Sequence, residues 1–185
     1  MTEAAQDPRN DLVNHLGALR AFAISLTRNS ATADDLVQDT LVKAWTNIEK
    51  FEHGSNMRAW LFTILRNTFY SLRRKRKREV EDGDGALSAT LAQKPDHDGR
   101  LHMRDFQVAF AQLNDEQREA LTLVGAGGFS YEEAAEMCGV KTGTIKSRVN
   151  RARARLAELM ELGDDSQMEL TDTVTAGIVA QQGAA

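Results

Sequence analysis

The chain has 185 residues, 27% of them charged and 42% hydrophobic, with a formal net charge of −4; that length allows one or two small domains, each with a modest core. No apolar run approaches a membrane span and the N-terminus lacks a charged-then-apolar signal pattern, so a cytoplasmic protein with no membrane partner is expected. The negative balance does not exclude nucleic acid, because the signs are segregated, with two basic blocks standing among acidic stretches.

Strand signals are weak throughout. Pro8 and Pro95 both fall where coil is expected and the long segments follow a 3.6-residue period, which predicts an all-α protein. From about Asp11 to Leu26, apolar Leu12, Leu16, Leu19, Ala23 and Leu26 recur three or four apart, as in a core-facing helix. Thr32, with Asp35 three residues on, offers the start of a second helix. Its apolar stripe is Leu36, Val37, Leu41, Ala44, Trp45 and Ile48, and its polar face carries Asp34, Asp35, Gln38, Asp39 and Lys43. After a break at Glu49 to Asn56, which contains Gly54, a third helix opens near Ser55 or Asn56. It runs through Trp60, Leu61, Ile64, Leu65, Phe69 and Leu72 into the consecutive cations Arg73 to Arg78. Aromatics beside a cationic track, here Trp60, Phe62, Phe69 and Tyr70, are what unstacked bases need: a flat face to stack on and charge for the backbone. The plainer reading makes Phe69 and Leu72 core and the run a solvated face.

Glu79 to Arg100 is acidic, glycine-bearing and aperiodic, and reads as a linker. The expected division is therefore a first domain over 9–78, a linker over 79–100, a second domain over 101–162 and a flexible tail over 163–185. In the second domain Leu101, Phe106, Phe110 and Leu113 supply a packed face, and Asn114 with Gln117 makes a capping box for a helix carrying Leu121, Leu123 and Val124, ended at Gly125 to Gly128. Ser130 with Glu133 opens a short helix to Met137, Gly139 supplies a tight turn, and Thr142 caps the next helix. There Ile145, Val149, Ala152 and Leu156 form one apolar stripe, while Lys146, Arg148, Arg151, Arg153 and Arg155 spread over the remaining surface with no acid among them. Helix, glycine turn and basic helix match the helix-turn-helix unit, whose second helix enters the major groove; the plainer reading is a helical hairpin with a solvated basic face. Cys138, beside the turn glycine, is read as a buried small hydrophobe. No Ser-His-Asp order, metal-ligand cluster or phosphate-cradling glycine loop is visible, and His15, His53, His97 and His102 are scattered, so no enzyme, metal or cofactor is expected.

Asp34-Asp35-Leu36-Val37-Gln38-Asp39-Thr40-Leu41-Val42-Lys43-Ala44-Trp45, Trp60-Leu61-Phe62-Thr63-Ile64-Leu65-Arg66-Asn67 and Gly143-Thr144-Ile145-Lys146-Ser147-Arg148 resemble the successive signatures of the extracytoplasmic-function sigma factors, the small two-domain bacterial sigma class. Gly125 to Ala135 together with Lys146 to Arg153 further resembles the EcfG-type general-stress subclass. The resemblance implies two helical domains, sigma regions 2 and 4. Asp35, Gln38 and Asp39 would bind core RNA polymerase against a basic coiled-coil surface. The downstream promoter element would be held as single strand: Phe51, His53 and Ser55 lie in the loop for a flipped-out base, Trp60 and Asn67 read or wedge the separating strands, and Arg66, Arg73 and Arg74 hold phosphates. The upstream element would be read as duplex, with Lys146, Ser147, Asn150 and Arg151 facing bases and Thr144, Arg148 and Arg153 on phosphates. By side-chain chemistry, Lys146 and Arg151 suit guanine and Asn150 suits adenine.

The same resemblance implies control by an anti-sigma factor, which a response regulator with a sigma-like domain releases by mimicry. From the charge pattern, the acidic segment Glu79 to Asp84 is expected to fold back on Arg73 to Arg78 and compete with promoter DNA. Two other readings are a sigma-like decoy that only sequesters an anti-sigma, and a conventional dimeric helix-turn-helix regulator. A decoy has no need of the basic run or of the cationic helix, and a duplex-only regulator leaves the acidic face of the second helix without a purpose.

Overall fold

The computed structural model describes residues 7–82 and 101–160, and every regular element among them is helical. A 3-10 helix, Pro8–His15, comes first. The Asp7 carboxylate accepts the Arg9 backbone N–H at 3.0 Å, and Pro8 occupies the first turn, where a missing N–H costs nothing. Pro8 thus starts a helical segment instead of lying in coil, and the α-helix expected from Asp11 is α1, Leu16–Thr27, which buries Leu19, Phe22, Ala23 and Leu26. The chain reverses at Arg28, in the left-handed region at φ 58.

α2 spans Ser30–Thr46. Its cap is Asn29, not Thr32: the Asn29 side chain accepts the Thr32 N–H at 2.8 Å, leaving Thr32 in the first turn as donor. α2 packs on α1 through Ala33, Leu36, Val37 and Ala44, but Trp45 departs from the expected stripe and is 55% exposed. It stands one residue, hence 100° of helix, past the fully buried Ala44, and the Arg9 guanidinium lies over its ring at 5.2 Å. α3, Met57–Asp82, begins where the Asn56 side chain accepts the Ala59 N–H at 3.1 Å. It buries Met57, Leu61, Phe62 and Leu65, and the basic run continues it as exposed helix.

The second half comprises α4, Leu101–Ala111, α5, Asp115–Leu121, α6, Tyr131–Cys138, and α7, Thr142–Leu159. Asn114–Gln117 and Ser130–Glu133 both form the expected capping boxes, and Gly139 takes the left-handed turn at φ 65. At α7 the cap is Lys141 with no side-chain hydrogen bond; Thr142 is already helical, and the Lys141 carbonyl accepts the Thr144 N–H at 2.8 Å. Between α5 and α6 the chain widens into a π turn, Thr122–Ala126. A Cβ at Gly127 would meet the Leu123 carbonyl oxygen at 2.4 Å, so this close approach requires glycine.

The two halves are docked, and their buried side chains form one continuous apolar cluster. Phe62 of α3 links them: it stacks on Phe22 of α1 at 4.8 Å and meets Phe129, before α6, edge-on at 5.2 Å. The Arg58 guanidinium lies over both Phe62 and Phe129. Arg118 of α5 is fully buried; its Nε–H donates to the Ser25 carbonyl of α1 at 3.1 Å, and its other donors reach the Leu113 carbonyl and Asp115. Glu79 does not fold back. α3 is unbroken through Asp82, and Glu79 sits one turn along it from Lys75, at 3.8 Å; residues 83–100 of the expected linker and the tail 163–185 lie outside the described residues. Phe62→Ala removes the ring shared by both halves and is expected to cost about 3–5 kcal/mol in urea unfolding, with the two halves no longer melting in a single transition.

Candidate nucleic-acid interfaces

The first interface is built on the start of α3 and the loop before it. Phe51 packs against Trp60 with ring centroids 5.4 Å apart, and His53 meets Phe51 edge-on at 6.3 Å. Phe51 is only 8% exposed, so it forms a floor above which His53 and Ser55 stand exposed. Beside them opens a cleft of about 360 Å³ whose opposite wall is the 3-10 helix, presenting Asp7, Asn10, Asp11 and Asn14. The sequence reading missed this wall, because hydrophobic spacing merged Asp11 into the first core helix. Both carboxylates are held below the usual range, Asp7 by the Arg9 backbone N–H and Asp11 by the Asn14 amide and then His15. They therefore stay ionised and present acceptors, the chemistry that suits the exocyclic amine of a base.

Further along α3 the predicted strand-separating and phosphate contacts separate into two groups. Asn67 and Arg74 are exposed, Arg74 reaching the Ser71 hydroxyl at 3.3 Å. Trp60 and Arg74 are fourteen residues apart, about 21 Å of helix, enough to follow several nucleotides. Arg66 and Arg73, by contrast, meet carboxylates of α5: Arg66 Nε lies 2.7 Å from Glu119 Oε1, and Arg73, whose side chain stays 58% exposed, pairs with Asp115. The Tyr70 hydroxyl donates to Glu119 Oε2 at 3.3 Å, and the Arg66 guanidinium covers the Tyr70 ring at 4.8 Å. Burial pushes the Glu119 carboxyl up; Arg66 opposes that without cancelling it. Burial likewise works against the Arg66 charge, but there Glu119, together with Cys138 and Tyr70, outweighs it and the guanidinium is held more firmly protonated. Burial also raises the Tyr70 hydroxyl, and Cys138, whose thiol is pushed up to about 12, is the buried, un-ionised group expected.

The second interface is α7. Ile145, Val149, Ala152 and Leu156 are fully buried beneath it, which fixes the roll of the helix and turns Lys146, Asn150 and Arg151 outward. Ser147 accepts from Arg151 at 2.5 Å, and Lys146 lies over the Tyr131 ring of α6 at 5.7 Å, so the outward side chains are partly pre-positioned. Thr144, Arg148 and Arg153 are half-buried along the edges, and Arg148 pairs with Glu116 of α5 at 2.9 Å.

On α2, Asp35, Gln38 and Asp39 are exposed on one face. The same face continues into Val42 and Trp45, 66% and 55% exposed, an apolar extension of which the amphipathic pattern had assigned Trp45 to the core. Among the described residues no group of three or more His, Cys, Asp and Glu is placed to hold a metal ion, and no helix is long and apolar enough to cross a membrane.

Comparison with known proteins agrees with this architecture. The chain matches the family models Sigma-70 region 2 over residues 12–79 and Sigma-70, region 4 over residues 103–156. It is 53% identical to the ECF RNA polymerase sigma factor EcfG of Rhodopseudomonas palustris, over 92% of this chain and 94% of that one. It is 34% identical to the ECF RNA polymerase sigma factor SigM of Bacillus subtilis, over 77% and 88%. Among solved structures it is similar to the sigma factor RpoE of Bartonella quintana in complex with the anti-sigma factor NepR, at 56% identity and a TM-score of 0.76, covering 84% of this chain and 97% of that one. Two sigma-70 regions in order, on a fold whose described elements are all helical and which carries one basic helix in each half, make the chain a member of the extracytoplasmic-function RNA polymerase sigma factors, of the EcfG type.

Proposed function

We propose that this chain is the promoter-selecting subunit of a bacterial RNA polymerase, acting in the cytoplasm without catalytic chemistry of its own. The observation that carries this reading is the presence, in one chain, of an aromatic-floored cleft at the head of a cationic helix and a second cationic helix behind a glycine turn. The first suits unstacked bases and the second a duplex groove. Residues 9–78 form the polymerase-binding and strand-separating domain, 79–100 the tether, 101–162 the duplex-reading domain and 163–185 a tail.

In this reading Asp35, Gln38 and Asp39 dock on core polymerase, with Val42 and Trp45 supplying an apolar contact that the polar residues alone lack. His53 and Ser55 over the Phe51 floor hold a flipped base, Trp60 and Asn67 hold the strands apart, and Arg66, Arg73 and Arg74 take phosphates. Unstacking costs a few kcal/mol per step and stacking on an aromatic returns about 1–3 kcal/mol per base, so melting is close to balanced and attachment to polymerase tips it. On the duplex side Lys146, Ser147, Asn150 and Arg151 face bases, while Thr144, Arg148 and Arg153 fix register on the backbone. Two modest contacts joined by a tether bind far more tightly than either alone when the spacing fits. The solved complex of the Bartonella relative with NepR supports an anti-sigma factor as a further partner. The subclass resemblance supports a general-stress role, in which a response regulator carrying a sigma-like domain releases that anti-sigma.

Run-off transcription with purified core polymerase on a stress-type promoter tests the reading. Initiation is expected only when the chain is added, and Asn67→Ala or Arg151→Ala should abolish or sharply reduce it; no initiation despite tight binding to an anti-sigma would identify a decoy instead. For the upstream duplex alone, Arg151→Ala should cost about 1–3 kcal/mol on the preferred sequence and relax the preference at one base pair. Arg153→Ala should weaken all sequences alike and reduce the salt slope by about 0.9. Equal losses and equal slopes for the two variants would remove the division between base and phosphate contacts.

A further inference from the structure

The carboxylates of α5 are placed against arginines that have another use. Asp115 and Glu116 lie in the first turn, where any acid favours the helix N-terminus, so their presence alone needs no further explanation. Glu119 has no such account. It sits a full turn further in, its side chain is 1% exposed, and a carboxylate removed from water is costly unless a cation meets it there. That cation, Arg66, comes from the other half of the molecule, as does the Tyr70 hydroxyl that satisfies the second carboxylate oxygen. One turn earlier on α5, Asp115 repeats the arrangement with Arg73, seven residues along α3 from Arg66 and therefore on the same face. A carboxylate on a guanidinium makes the same charge-assisted contact that a phosphate oxygen makes. Glu116, between them, turns away and pairs within its own half, with Arg148.

We propose that Glu119 and Asp115 form a latch in which α5 occupies, in place of promoter phosphates, the arginines Arg66 and Arg73 that grip the downstream strand, so that the docked chain is closed to single-stranded DNA until the two halves separate. This rests on the assignment of Arg66 and Arg73 to DNA made above. Of the segment Glu79 to Asp84 expected from the charge pattern to fold back, only the Glu79 side chain is described, one turn from Lys75; the competing acids of the latch come from the second half across the docking surface. Their effect is conditional, since separation removes both at once, whereas acids next to the basic run in sequence would never leave it. The groove beside the latch, floored by Leu26, Leu36, Phe69 and Leu72, is bordered by Asp35 and Asp39 of the polymerase-binding face and by Arg73 and Asp115, so a partner seated on α2 lies within reach of the outer pair of the latch.

The test uses the full chain and two independent readouts: compactness by small-angle scattering, and affinity for a single-stranded downstream-element oligonucleotide by fluorescence anisotropy. Glu119→Arg sets like charge against Arg66 and should expand the chain and raise single-strand affinity at least about fivefold, the low end of ordinary inter-site coupling. Asp105→Arg, on the exposed face of α4, makes the same charge change away from the latch and should do neither. Adding Arg66→Glu to Glu119→Arg restores an opposite pair and should return the chain to its compact form. If Glu119→Arg fails to fold by circular dichroism, Asp115→Asn with Glu119→Gln removes both charges without added bulk and should move both readouts the same way. A chain that stays compact in these variants overturns the latch. An expanded chain whose single-strand affinity rises no more than that of Asp105→Arg overturns the masking and shows that Arg66 and Arg73 are not the strand contacts.

Discussion

The Glu119 carboxylate, enclosed between the Arg66 guanidinium and the Tyr70 hydroxyl, is the contact on which the arrangement of this molecule turns. With the pair Arg73–Asp115 it is where the two halves exchange charge, one turn of α3 from Phe62 in the apolar seam of Phe22, Phe62 and Phe129 that brings them together. The seam supplies non-directional attraction, whereas the ion pair supplies register, because a buried carboxylate tolerates few positions for its partner. Arg118 reinforces that register from α5 by donating to the backbone carbonyl of Ser25 in α1. Packing and polar satisfaction thus specify one docked geometry, and that geometry determines which cations remain available to DNA.

α3 carries several of these roles at once by dividing its circumference. Leu61 and Leu65 face the core, Phe62, Arg66 and Tyr70 face the second half, and Asn67 and Arg74 face solvent. Adjacent residues on a helix point 100° apart, so Arg66 and Asn67 belong to different surfaces although both match the same motif. Any movement of the second half therefore alters the unpaired charge that α3 presents without altering the fold of α3 itself. α7 is arranged differently: its four buried apolar side chains fix its roll within its own half and turn Lys146, Asn150 and Arg151 outward without help from the first half.

Much of this was legible in the sequence. Helical periodicity located every long helix, the two capping boxes were read from Asn114, Gln117, Ser130 and Glu133, and the buried stripe of α7 followed from its spacing. What periodicity leaves ambiguous is the edge of a stripe: Trp45 fits the apolar pattern of α2 within one residue, yet lies outside the packed face. Caps chosen by residue type failed where a neighbour was better placed, as with Asn29 in place of Thr32, and where backbone alone closed the turn, as at Lys141. The acidic wall of the cleft and the latch were illegible for a deeper reason. Each joins residues distant in the chain, and charge composition shows that Arg66 and Arg73 need counter-charge but not that Glu119 and Asp115 supply it.

The account holds that the halves are docked in the free chain and apart when it acts on a promoter. The most direct measurement is energy transfer between fluorophores at Glu49→Cys and Glu158→Cys, two exposed sites on different halves, first in the free chain and then in an initiation complex with core polymerase and promoter DNA. High transfer in the free chain that falls on forming the complex is the predicted result. Equal transfer in the two states would mean that the docked form itself engages the promoter, contradicting the view that Arg66 and Arg73 must first be released.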